Sequence, residues 1–201
     1  LAFCASLLSC ASLMAAEPLP QRWISSGGSL SEWVVALGGE SRLVGVDSTS
    51  QHPQSLRALP SIGYQRQLAA EGMLTLRPDV LIGSEEMGPP PVLAQLRGAG
   101  VRVEMLSAKA DLSSLRASLQ RIGTLLGEPH HADQAFAAYQ QRLQQQADWL
   151  VTAQREQAMP GVLLLLGHAG GSPMVGGKDT SADWLIERAG GKVVGIGAVI
   201  S

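Results

Sequence analysis

The 201-residue chain is poor in the residues that carry covalent or nucleic-acid chemistry. Its two cysteines, Cys4 and Cys10, both fall in the first apolar run, which excludes a disulfide framework, a zinc cluster or a cysteine nucleophile downstream. Aromatic residues make up 4% of the chain and the formal net charge is -2, so neither a basic footprint for nucleic acid nor a stacking platform for bases is present. There is no Walker loop, and Gly98-Ala-Gly100 and Gly195-Ile-Gly197 both lack the third glycine of a dinucleotide fingerprint. The nearest thing to a nucleophile elbow, Gly27-Gly-Ser-Leu-Ser31, fails at its last position, which leaves an α/β hydrolase built on Ser29 as a minor alternative. Glu85 and Glu86 are adjacent, so on a strand they would face opposite ways and on a loop they would be solvated. No catalytic constellation emerges, and the protein is expected not to be an enzyme.

What is present begins with an export pattern. Residues Leu1 to Ala16 carry no charge and end in Met14-Ala15-Ala16 before Glu17-Pro18. The run is short for a membrane span and suits the apolar region of a secretory signal with a small-residue cleavage site; the basic region that precedes such a run is expected upstream of Leu1. Leu7-Leu-Ser-Cys10 is a weaker match to a lipoprotein box, so lipid anchoring at Cys10 is the lesser alternative.

A hydrophobic fraction of 45% fits a globular chain, and from Arg22 onward strands and helices alternate. Arg22 to Ser25 reads as a strand, Ser29 as the cap of a helix over Leu30 to Leu37, and Leu43 to Val46 as a second strand. A long loop from Asp47 to Gly63 leads to helical spacing at Leu68, Met73, Leu74 and Leu76, which Pro78 stops, and then to a buried strand over Asp79 to Gly83. Pro91 to Gly98 and Leu112 to Leu126 read as helices, the second closed by Gly127, with a strand over Val101 to Leu106 between them. This alternation predicts an α/β fold with a parallel, doubly wound sheet.

The run from Ala132 to about Gln157 contains no Gly or Pro and predicts one helix of roughly 35 to 40 Å, long enough to join two lobes rigidly. Beyond it come a strictly apolar strand over Val162 to Leu166, a helix over Ser181 to Ala189 near a Thr180 or Ser181 cap, and a strand starting at Lys192. A second lobe with one or two strands cannot close a parallel sheet. The expected organisation is therefore a signal peptide over 1–16, an N-terminal lobe over 22–130, a linking helix over 131–158 and a truncated C-terminal lobe over 160–201.

Tyr64 is the residue that draws most attention. It sits in Pro60-Ser-Ile-Gly-Tyr-Gln-Arg-Gln-Leu68, just before a helix, where open α/β sheets place ligand residues. A phenolate is a hard anionic donor suited to ferric iron. Its ordinary pKa of about 10 means that a metal or a nearby cation must help it ionise. Arg66 could be that cation if the loop is extended, since alternate side chains then point the same way. From the residues alone, a tyrosine packed on the sheet with a solvated hydroxyl is the alternative. His168, in Gly167-His-Ala-Gly-Gly171 after the apolar strand, would face Tyr64 across a cleft, or else be an exposed loop histidine. His52, His130 and His131 are weaker candidates, the last two preceding the long helix. Lys178 and Arg188 could reach ligand carboxylates, and Met87, Met105 and Met174 could line an apolar pocket or fill the core. Glu71 complements the start of its helix.

Two α/β lobes joined by a long helix resemble the substrate-binding proteins of ABC importers for iron complexes and cobalamin. Ile62-Gly-Tyr-Gln-Arg-Gln-Leu68, with Glu71-Gly-Met-Leu-Thr-Leu-Arg-Pro-Asp-Val-Leu81, is similar to the periplasmic haem-binding members in particular. Ser26-Gly-Gly-Ser-Leu-Ser-Glu-Trp33 and Gly45-Val-Asp-Ser-Thr-Ser50 add to the likeness. The resemblance implies two Rossmann-like lobes and capture of ferric haem in the periplasm. It implies that Tyr64 binds the iron, that Arg66 hydrogen-bonds the tyrosine oxygen, and that His168 serves a six-coordinate iron or a second haem. Glu71 would dock on an inner-membrane ABC permease, with an outer-membrane haem receptor upstream, and the protein would act as a monomer. A cobalamin or ferric-siderophore binding protein of the same fold is the alternative within the class.

Overall fold

The computed structural model describes residues 18–155, 158–167 and 174–194. The apolar run 1–16 with Cys4 and Cys10, and His168, lie outside them. Four short strands form one parallel sheet: β1 (Trp23–Ser26), β2 (Leu43–Val46), β3 (Val80–Ser84) and β4 (Arg102–Leu106), in the order β2-β1-β3-β4. Trp23, Ile24, Val80, Leu81 and Ile82 are fully buried, because β1 and β3 are flanked by strands on both sides and by helices on both faces.

Alternate side chains along these strands enter different cores. Trp23, Val80 and Ile82 pack with α1 (Gly28–Ala36) and α4 (Leu112–Leu126), whereas Ile24 and Leu81 pack with α2 (Ala70–Thr75) and α3 (Pro90–Gly98). The sheet is therefore wound on both sides, as the alternation predicts. Asp111 caps α4 through the Ser114 amide at 2.8 Å, and Gly127 closes it in the left-handed conformation, φ 80°.

Ser29 does not cap α1. The helix begins at Gly28, two residues before the expected Leu30, and its first amides are satisfied from a distant loop: Gly27 N donates to Asp47 Oδ1 at 2.9 Å and Gly28 N to Thr49 Oγ1 at 3.0 Å. With those donors already engaged, a local hydroxyl cap is unnecessary.

The long helix α5 (Pro129–Ala153) has 25 residues, about 37 Å at 1.5 Å per residue. It starts three residues before Ala132, since Pro129 is suited to a first helical turn. His130 and His131 consequently lie inside that turn, exposed, rather than ahead of the helix. Ala132 and Phe136 are buried against α4, where Gly123 permits close approach: a Cβ there would stand 2.6 Å from the Ala132 Cβ. The start of α5 thus belongs to the first lobe's core.

The second lobe departs from the sequence reading. The apolar run Val162 to Leu166 is two strands, β5 (Gly161–Val162) and β6 (Leu164–Leu166), interrupted at Leu163. β5 pairs in parallel with β8 (Lys192–Val193), but β6 pairs antiparallel with β7 (Met174–Gly176), so the lobe is not uniformly parallel. The run changes partner midway, which apolar composition alone cannot signal. Helix α6 (Ser181–Arg188) is capped by Thr180, whose Oγ1 accepts from Asp183 N at 3.2 Å. It is clasped to α5 by Gln146 Nε2 donating to the Arg188 carbonyl at 3.3 Å and Gln154 Nε2 to the Gly190 carbonyl at 2.6 Å.

Glu104 ties β4 to α4. Arg121 reaches it through Nε at 2.8 Å and Nη2 at 2.6 Å, and Arg102 Nε bonds it at 2.6 Å. Burial pushes the Glu104 pKa up, but the bonds from Arg121 and then Arg102 outweigh this and hold it below its ordinary 4.5. A depressed folded-state pKa gives stability that is complete above 4.5 and is lost as pH falls through the folded value. Glu104→Gln should therefore cost about 1–2 kcal/mol in urea unfolding at neutral pH. The difference from wild type should vanish in acid below the carboxylate range.

Candidate functional site

β1 and β3 lie side by side, but β1 leads into α1 on one face and β3 into α3 on the other. Their carboxyl ends therefore part, and a crevice opens there, the usual ligand position in open α/β sheets. A cleft of about 420 Å³ occupies it. Gly27 and Gly28 form its floor beyond β1, Ser84 at the end of β3 and Glu86 just past it flank it, and Lys109 and Asp111 bound it beyond β4. Three aromatic rings line it: Trp33 from α1, Tyr139 from α5 and Trp184 from α6. Trp33 and Tyr139 meet edge to face, with centroids 5.7 Å apart at 85°.

The floor is organised by Asp47, which is 2% exposed. Its Oδ1 accepts from Gly27 N and from Ser50 Oγ at 2.7 Å, and its Oδ2 accepts from Thr49 N at 3.2 Å and Thr49 Oγ1 at 2.7 Å. Ser31 Oγ joins Ser25 and Ser50, each at 2.7 Å, and extends the same polar network beneath the turn. Gly28 lies so close to this loop that a Cβ would stand 2.8 Å from the Thr49 carbonyl oxygen.

The tyrosine loop is fixed by backbone bonds at both ends. Pro60 to Ile62 runs along β2, with Val46 N to Pro60 O at 3.0 Å and Ile62 N to Val46 O at 2.9 Å. Gly63 turns the chain at φ 86°, and its carbonyl accepts from Ser48 N at 2.8 Å. Gln67 N then bonds Tyr64 O at 2.8 Å, closing a turn over residues 64–67. Gly88 N bonds Gln65 O at 2.9 Å and Leu68 N bonds Gly88 O at 2.8 Å, so the turn is sewn to the loop after β3.

Tyr64 is 43% exposed on this turn, so its ring is not packed in the interior. Among the described residues Gln65 lines the cleft, whereas its neighbours Tyr64 and Arg66 are not part of the lining. The loop is not extended, which removes the geometric premise for Arg66 pointing along Tyr64. Arg66 Nη2 instead pairs with Glu86 Oε1 at 2.7 Å. Glu85 and Glu86 are likewise not merely solvated, since Glu85 Oε2 accepts from Ala108 N at 2.8 Å. Each carboxylate finds its donor on a different neighbouring loop.

The other candidates are dispersed. Lys178 is exposed in the turn before α6 but does not line the cleft, and Arg188 lies over the Trp184 ring at 5.2 Å. Met87 is buried core, while Met105 and Met174 are each 48% exposed and lie away from the lining. Glu71 is exposed in the first turn of α2. His52 is exposed in its loop. Asp111, which lines the cleft, is held down to about 2 chiefly by the Ser113 hydroxyl and the Ser114 amide, so it is anionic at neutral pH. Sequence reasoning missed the aromatic wall, because Trp33, Tyr139 and Trp184 come from three separate helices. The only available signal was scarcity: three of the chain's eight aromatic residues line one cleft.

Comparison with known proteins agrees with this architecture. The family model described as "Periplasmic binding protein" matches residues 24–196. A crystal structure of a periplasmic heme binding protein from Pseudomonas aeruginosa superposes with a TM-score of 0.85 at 65% identity, covering 87% of this chain and 63% of that one. The periplasmic heme-binding protein BhuT, in complex with two hemes, gives a TM-score of 0.72 at 37% identity over 86% of this chain and 66% of its own. Among curated relatives, a vitamin B12-binding protein of Pectobacterium carotovorum subsp. carotovorum (strain PC1) is 30% identical over 129 residues, 64% of this chain. The chain spans 46% of that relative's length. With its sheet, its switch-point cleft and a family match over most of its length, the chain belongs to the periplasmic binding protein family.

Proposed function

We propose that the chain is part of the haem-capturing component of an ABC importer, working in the periplasm. The observation that carries this reading is the 65% identity, over 87% of the chain, to a protein described as a periplasmic heme binding protein. The site supports it chemically. An exposed phenol stands on a turn held at both ends, beside a cleft lined with aromatic rings and bordered by Lys109.

Porphyrin supplies the equatorial ligands of its own iron, so one protein donor suffices to hold it. Tyr64 is that donor, its phenol proton passing to solvent as the iron–oxygen bond forms. Arg66, two residues on, is the cation available to the resulting phenolate. The rings of Trp33, Tyr139 and Trp184 offer flat apolar surface to the macrocycle. His168 is the candidate second iron ligand, and Lys178 the candidate partner for a propionate. The job is capture without chemistry, followed by docking on a permease through Glu71, whose carboxylate is exposed on α2.

A second reading, cobalamin binding, has its own support in the curated relatives and in the three aromatic rings. Cobalamin would need those walls but not a phenolate. Adding hemin to the protein should shift the Soret band and quench fluorescence from Trp33 and Trp184. Tyr64→Phe should weaken haem binding at least about tenfold. A protein that leaves the Soret band unmoved yet binds cyanocobalamin would favour the second reading.

Glu71→Ala should separate capture from delivery. Haem affinity in solution should match wild type, while haem-dependent growth of cells relying on this importer should fall.

A further inference from the structure

We propose that Glu86 is the resting partner of Arg66, a positioning residue that holds the cation away from Tyr64 until an iron-bound phenolate competes for it. This rests on the reading of Tyr64 as the iron ligand. The turn over residues 64–67 and the loop after β3 are sewn together by the two backbone bonds through Gly88, at 2.9 and 2.8 Å. The Arg66 guanidinium crosses the same seam to Glu86 at 2.7 Å. Backbone bonds fix the seam; the side-chain contact is the part free to change.

Three features make that contact exchangeable. Both side chains are open to solvent, 50% for Arg66 and 42% for Glu86, so the pair is weak. Among the described residues the contact runs through Nη2 alone, although a guanidinium fork has donors for a second acceptor. Glu86 also lines the cleft, so its charge faces the space a ligand enters.

The electrostatic effects all run one way. While Glu86 holds Arg66 it neutralises that cation and occupies the donor a phenolate would use. Ferric haem turns Tyr64 into an acceptor stronger than the neutral phenol, and the guanidinium's hydrogen bond passes from carboxylate to phenolate. Unloading runs in reverse: Glu86 recovers Arg66, the tyrosine oxygen loses its donor, and the iron is held less firmly. Glu86 thereby sets the retention of haem downward, as suits a carrier that must surrender its cargo.

The test is haem release from the full chain to excess apoglobin, followed at the Soret band, as a double-mutant cycle of E86Q with Arg66→Gln. E86Q should slow release about two- to fivefold when Arg66 is present, and should have no effect in the Arg66→Gln background. Glu86→Asp, which keeps the charge, should return release toward the wild-type rate. Unchanged or faster release in E86Q overturns the proposal, as does an equal slowing in both backgrounds, which would mean the carboxylate acts without Arg66. Tyr64→Phe is read alongside. If it leaves the haem spectrum and the release rate unchanged, the ligand reading fails and takes the proposal with it. If it disrupts both while the cycle shows no coupling, only the role of Glu86 fails.

Discussion

A buried carboxylate left without partners costs several kcal/mol, and Asp47 avoids that cost because the turn after β1 and its own loop both supply donors to it. Gly27 comes from the end of β1, and Thr49 and Ser50 come from the loop beyond β2. One residue from Asp47, Ser48 N binds the Gly63 carbonyl, which starts the tyrosine turn. The anion therefore fixes the β1 exit, the helix start and the platform under Tyr64 relative to one another. Without it, the Gly27 amide and two hydroxyls would lose their acceptor.

The rest of the architecture places this platform where a ligand can use it. The order β2-β1-β3-β4 makes the chain leave adjacent strands toward opposite faces, which opens the crevice. The loop beyond β3 then meets the tyrosine turn through Gly88, and the loop beyond β4 meets Glu85 through the Ala108 amide. Successive loops at the sheet's carboxyl edge are thus linked to their neighbours, and the cleft rim behaves as one connected piece of backbone.

What could be read from the sequence follows from how local its physical cause is. The strands of the first lobe lie between turn residues, β2 and β3 as nearly unbroken apolar runs and β4 with Arg102 and Glu104 interleaved, and each was placed within a residue or so. The end of α4 was legible because Gly127 is a strong local signal, and its Asp111 cap is equally local. Ser29 misled because a serine before an apolar run resembles a cap, and the true acceptors lie twenty residues away in Asp47 and Thr49. Glu85, Glu86 and Arg66 misled in the same way, each taking a partner from another loop. The split of the Val162 to Leu166 run was invisible because Leu is equally content in a parallel or an antiparallel ladder. That Tyr64 lies in a loop ahead of a helix was legible from Pro60 and Gly63; the turn that holds it, and its absence from the cleft lining, were not.

α6 is attached to the far half of α5. Tyr139 meets Trp33 near the start of the rod and belongs with the first lobe, whereas Trp184 rides on a helix moored further along, at Gln146 and Gln154. Between the two attachments lie Gln140 to Gln145, fewer than two turns of helix without glycine, proline or a β-branched residue. Such a segment resists bending, so the spacing between the rings is set by the helix itself.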